Sequence, residues 1–197
     1  MNEEKAYLEF MKHVCGGNMC EEYKNEIKRC HEDRLLLAKL AMRQQSIPYM
    51  ATVMRDKIIT VDATRKFFKD YINGYVLEDC DEVGGYDYAW YIDWNYDNDI
   101  ITENIDVMHI THTIGANVIV TATRCPILYI SNNSKIHIIC EGYNNIKIYL
   151  FDKSQITIED TDEESSITVY KYSDKCKVKT GKFSLCKINE FEKELKL

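Results

Sequence analysis

Proline is almost missing from this chain of 197 residues, with 2 in all, and glycine is scarce at 8. Collagen-like and low-complexity architectures are therefore excluded. No apolar run approaches the roughly 20 residues a membrane helix needs. The sequence has no GxSxG nucleophile elbow, no phosphate loop and no dinucleotide fingerprint, and no cysteine has an evident base beside it. The predicted catalytic set is empty, and no cofactor is expected. Lysine and arginine are absent from residues 70–123, which hold 11 Asp/Glu. So acidic a stretch repels a phosphate backbone, so nucleic acid is not an expected partner. A solvated acidic face, a basic partner or a cation suits it better. The opening MNEEKAYLEF lacks a basic segment followed by an apolar one. The expectation is a cytoplasmic chain with no membrane partner, most of its 8 cysteines held as buried thiols rather than disulfides.

What is present is 45% hydrophobic and 29% charged, enough for one substantial core or two small ones. The first third reads as helical. Ala6, Leu8, Phe10 and Met11 sit among charges before Gly16-Gly17. Asn18, with Glu21 three residues on, can cap a second helix running to about Gln45. Pro48 suits the first turn of another. Phe67/Tyr71 and Phe68/Ile72 share a face of a further helix ending at Asn73-Gly74.

The second half repeats about every twenty residues. Ala116, Ile136, Ile156 and Cys176 form one ladder; Val118, Ile138, Ile158 and Val178 form another. Each alternates with polar residues, as in KIHI and QITI, which is strand periodicity. A second set passes through Ile127, Ile146/Ile148, Ile167/Val169 and about Cys186/Lys187, with polar turns such as SNNS, FDKS and DTDEES between. These features predict a β-solenoid of two strands and two corners per turn. Stacking would put each inward residue above its repeat equivalent. An antiparallel sandwich is the alternative, but its hairpins favour Asn-Gly turns and residues 116–187 have none. INEFEKELKL reads as a short amphipathic helix closing the last turn.

The predicted fold class is thus α+β. An α-helical region, 1–75, packs through an acidic aromatic β segment, 76–115, on a β-solenoid, 116–187, with a capping helix at 188–197. If Ile146, Ile148, Ile167 and Val169 point inward, then Tyr149, Phe151, Tyr170 and Tyr172 point outward. Together they would form an aromatic face for a protein partner or a second copy. In YDYAWYIDWNYDND, alternation puts Tyr86, Tyr88, Trp90, Ile92, Trp94 and Tyr96 on one face. That face is a buried sheet side or a platform for a sugar ring. In the second case Trp90 and Trp94 would stack and Asp93 and Asp97 would bond hydroxyls.

Metal chemistry has weaker footing, and no metal site is predicted. Asp93, Asn95, Asp97 and Asp99 fall at calcium-loop spacing, but Asn98 and Asn104 replace the glycine and glutamate that such a loop requires. His13, Cys15, Cys20, Cys30 and His31 match no paired-CxxC pattern. His109 and His112 are three apart and would face opposite ways on a strand. Asp160, Asp162, Glu163 and Glu164 crowd one turn, where a carboxylate pair for glycoside cleavage is the alternative to an acidic surface turn.

The stacked KIHII, KIYLF, QITIE and SITVY ladder resembles short β-solenoids. With FFKDYINGY and the acidic aromatic strand before it, the chain is similar to small uncharacterised proteins of bacteriophages and gut-bacterial mobile elements. The resemblance covers about residues 60–180. It implies a virion, accessory or host-interaction role, in the host cytoplasm or virion, and carries over no functional residues.

Overall fold

The structure is a computed structural model. It describes residues 21–30, 33, 76–80, 86–94, 99–103, 105–121, 126–163, 165–181 and 185–190. One helix, α1 (Glu21–Arg29), lies among them. Its first turn carries Glu21 and Glu22 and its last Lys28 and Arg29, each complementing the helix dipole. Lys24 pairs with Glu21 at 3.0 Å. The helix does not run on to Gln45. Cys30 forms a turn, and the Asp33 amide bonds the Cys30 carbonyl at 3.0 Å. The other expected helices of residues 1–75 lie outside the described residues.

The other regular elements among the described residues are β-strands. The strands are β1 (Val76–Cys80), β2 (Tyr86–Ile92), β3 (Ile100–Ile101), β4 (Val107–Thr111), β5 (Ile114–Val120) and β6 (Ile127–Ser131). They continue as β7 (Lys135–Cys140), β8 (Asn145–Leu150), β9 (Gln155–Asp160), β10 (Ser166–Lys171), β11 (Lys177–Thr180) and β12 (Leu185–Glu190). Sheet A has the order β1-β2-β4-β6-β8-β10-β12 and sheet B the order β11-β9-β7-β5-β3. Among the described residues every pairing from β2 onward is parallel, and β1 alone pairs antiparallel, with β2. Successive strands alternate between the sheets, so the chain winds as a β-solenoid and not as a sandwich of hairpins. The ladder starts before residue 116, because β2 and β4 already stack beneath β6.

The inward rows follow the pleat. In sheet B, Ala116, Ile136 and Ile156 align, as do Val118, Ile138 and Ile158, all buried. In sheet A, Met108, Leu128, Ile148 and Val169 align, flanked by Ile110, Ile130 and Leu150. These side chains form one core between the sheets. A single turn has nowhere to bury its row; stacked turns bury it on one another.

Two expected alignments shift by small steps. Val178 pairs with Ile156 rather than Ile158, and Thr180 takes the place beside Ile158. The corners 161–165 and 172–176 are each one residue longer than those one turn earlier, 141–144 and 151–154, and together they move the register two residues. Ile127 pairs with Lys147 and faces outward, since Leu128 is the residue aligned with Ile148. A one-residue slip exchanges faces in a strand. The helix expected from residue 188 is likewise replaced at its start. Residues 188–190 belong to β12, where Cys186 and Ile188 align with Ile167 and Val169. Parallel pairing with β10 through Glu190 extends the strand over the expected helix start, although Ile188 stays 43% exposed. Phe191 and Leu195 lie outside the described residues.

The corners carry their own stack. Asp93, His112, Asn132 and Asp152 have φ of 57°, 53°, 55° and 59°. Asp, Asn and His are the side-chain-bearing residues that enter this left-handed region most readily. Hydrogen bonds join the levels. The Asn132 amide donates to Asp152 Oδ2 at 3.2 Å, and Asn132 Nδ2 donates to Thr111 Oγ1 at 3.0 Å. Buried Thr113, Ser134, Ser154 and Cys176 line the same bend, leaving room for the chain to reverse into sheet B.

Candidate functional site

The outward face of sheet A carries a continuous aromatic column. Trp90 stacks on His109, His109 on Tyr129, Tyr129 on Tyr149 and Tyr149 on Tyr170. Ring centroids are 4.8–4.9 Å apart with planes within 18° of parallel. The spacing is that of neighbouring strands, so parallel in-register pairing itself sets the stack. At its first levels the column is enclosed. His109 is 2% exposed and Tyr129 0%, and the outward residues Val107, Thr111, Ile127 and Ser131 are buried as well. From β8 onward the alternation of buried and open positions returns, and Tyr149 and Tyr170 are half-buried. Burial, with Tyr170 and Tyr172 beside it, pushes the Tyr149 hydroxyl up to about 12.

Of the four residues expected on a partner face, Tyr149, Tyr170 and Tyr172 lie together and are half-buried. Phe151 does not join them as an exposed ring. It is 2% exposed, because it stands in the corner after β8 and its outer ring face is covered by Tyr172 at 4.9 Å. The column's lower members were hidden in the sequence: a histidine interrupts the aromatic pattern, although His109, Tyr129 and Tyr149 are each twenty residues apart.

Trp90 and Trp94 do not form a joint platform. Trp90 belongs to the column, while the left-handed turn at Asp93 takes the chain off β2 before Trp94. Trp94 packs against the core, edge-on to Tyr91 at 4.9 Å. Asp97 and Asn95 lie outside the described residues, and Asp99 accepts from Asn117 Nδ2 at 2.9 Å. No metal-holding group of His, Cys, Asp and Glu occurs among the described residues. His13, Cys15, Cys20 and His31 lie outside them, and Cys30 is a buried thiol.

The acidic turn after β9 is a built corner. Asp160, 8% exposed, accepts from the Ser165 amide and hydroxyl at 3.1 Å each. Asp162 Oδ2 accepts from the Gly142 amide at 2.6 Å and from Thr161 Oγ1 at 3.2 Å. These carboxylates hold the corner in place, and Glu164 lies outside the described residues.

Cys30, Cys140, Cys176 and Cys186 are free thiols. Burial first, then the Asp160 carboxylate, pushes Cys140 up to about 12; burial pushes Cys176 up to about 11. The thiolate is the reactive form. At pH 8 both should therefore resist iodoacetamide in the folded protein and react once it is denatured, as read by mass spectrometry of peptides. Rapid labelling of Cys140 in the folded chain would contradict its place in the core.

No protein-family model, curated protein or solved structure matches the chain. No helix among the described residues is long and apolar enough to cross a membrane.

Proposed function

We propose that this is a non-enzymatic structural or protein-interaction protein that works through the outer face of its solenoid. The surface is the open part of the aromatic column, Tyr149, Tyr170 and Tyr172, and it engages a protein partner or a second copy of the chain. The observation that carries this reading is the passage of one stacked column from full burial at Tyr129 to half-exposure at Tyr149 and Tyr170. Rings already ordered by stacking lose little entropy on contact, and tyrosine brings large area with a polar tip. Neighbouring Lys147, Thr168 and Lys187 point the same way and supply a polar rim. An assembly role in a virion or accessory particle, as the resemblance to phage proteins implies, is the finer form of the reading.

The test is Tyr149→Ser with Tyr170→Ser. The fold should persist, since neither ring belongs to the inter-sheet core. Assembly size by light scattering, or recovery of partners from native extract, should fall. A double variant with the parent's assembly size and partners rejects the reading.

A further inference from the structure

The opposite face of the solenoid carries a different surface. A groove of about 340 Å³ runs over sheet B, across β7, β9 and β11. Register pairing builds it from two columns: Lys135, Gln155 and Lys177 in one, His137, Thr157 and Lys179 in the other. Short Thr157 and half-buried Gln155 form the floor, and the lysines rise at the sides. Lys135 and Lys177 lie two strands apart, about 10 Å; Lys177 and Lys179 lie one pleat apart, about 7 Å. All three lysines are exposed, and no ion pair among the described residues engages them. No acidic side chain is in the lining among the described residues. Glu159 stands beside the groove, 3.3 Å from His137 Nε2, where it orients the imidazole.

The far end is shaped by a β-bulge. Ile114 pairs with Lys135 and Ala116 with Ile136, leaving Gly115 as the extra residue at φ 85°. A Cβ on Gly115 would meet nothing within 4 Å, so the groove opens there, beside Ile114 at 62% exposure. Bulges occur where a strand must re-aim side chains. Three cations with no ion pair among the described residues, in a chain of net charge −7, mark a local reversal of sign.

We propose that this groove binds an anionic oligosaccharide, a sugar chain bearing carboxylate or sulfate groups. The spaced lysines take the anionic groups, while Gln155, Thr157 and His137 between them meet the hydroxyls. The chemistry of the lining selects against other polyanions. No Phe, Tyr or Trp lines the groove among the described residues, and the single imidazole of His137 is held by Glu159, so the row of rings on which single-strand nucleic-acid sites stack successive bases is missing. A peptide that binds as an added strand would seat along the outer edge of β11, the end strand of sheet B among the described residues, and not across the face that carries these side chains. The site stands on the sheet opposite the tyrosine column and does not depend on that surface's role.

The test uses the full chain in titration calorimetry at physiological salt. The probes are polygalacturonate oligosaccharides for carboxylates, heparin oligosaccharides for sulfates, and neutral dextran. One anionic probe, and not dextran, should bind. Lys177→Ala with Lys179→Ala should weaken it about tenfold or more, because each charge-assisted contact contributes about 1.5 kcal/mol or more. Lys147→Ala with Lys187→Ala makes the same charge change on sheet A and should leave affinity within about twofold of the parent, a shift below about 0.4 kcal/mol. Thr157→Trp should block the groove without changing charge. The proposal is overturned if neither anionic probe binds, if dextran binds equally, or if the sheet A pair weakens binding as much as the sheet B pair. Tighter binding of polyphosphate or single-stranded DNA overturns it too.

Discussion

Ile158→Asp should abolish the cooperative unfolding transition of the solenoid. Ile158 is 1% exposed and stands midway along β9, with Ile138 on one side and Thr180 on the other. An aspartate there meets aliphatic side chains with no cation to pair it. Its desolvation adds to the loss of a buried isoleucine, for a cost of about 4 kcal/mol or more. A domain holds only about 5–15 kcal/mol in total. In a solenoid the damage also spreads, because each turn is stabilised chiefly by its neighbours. The measurement is far-UV circular dichroism through a thermal ramp, with Thr168→Asp as the control. Thr168 lies on the outward side of β10, and its substitution should cost about 0.5 kcal/mol or less. A cooperative melt for Ile158→Asp within a few degrees of the parent would falsify the packed arrangement. The buried Asp160 two residues on is no counterexample, since it accepts two hydrogen bonds from Ser165.

Acid should weaken the protein through His109. Its imidazole is enclosed between Trp90 and Tyr129, and burial lowers it from 6.5 to about 3. Nε2 has no hydrogen-bond partner among the described residues. The folded state therefore holds the ring neutral while the unfolded chain protonates near 6.5. The contribution is fully present above about pH 6.5 and is lost as pH falls toward about 3, by about 1.4 kcal/mol per pH unit. His109→Phe keeps a planar ring in the stack and removes the titration. Urea unfolding at pH 7 and pH 4.5 should show the parent losing about 2.5 kcal/mol more than the variant between the two conditions. Carboxylates titrating in the same range affect both proteins alike, so the difference isolates the histidine. Equal losses would mean that His109 is not held neutral inside the column.

Both effects arise from residues whose surroundings differ in how far the sequence reveals them. Ile158 was legible. Its repeat equivalents Ile138 and Val118 are twenty and forty residues back, and each is flanked by polar residues that alternate outward. His109 was not. Three residues from His112, it reads as one of two histidines on opposite strand faces; only the column shows it as a ring in a stack.

Charge patterning behaved the same way. Lys135, Lys177 and Lys179 look like ordinary solvated positions between apolar ones, until in-register pairing lays Lys135 over Gln155 and Lys177.

The sequence by itself determined the solenoid: the twenty-residue period, two strands to a turn, the inward rows Ala116/Ile136/Ile156 and Val118/Ile138/Ile158, and the outward set of Tyr149 and Tyr170. These are readable because strand alternation has a period of two, and because each repeat must present the same apolar face to its neighbours. Tertiary structure alone decided the rest. It extended the ladder back to β2, turned residues 188–190 into a strand, moved Ile127 to the outer face and Val178 one step along its row, and buried Phe151 beneath Tyr172. The physical reason is the corners. Each is set by local hydrogen bonds and left-handed residues such as Asp93, Asn132 and Asp152, so its length can vary by a residue or two. A one-residue change in a corner reverses which side of the sheet the following side chains face.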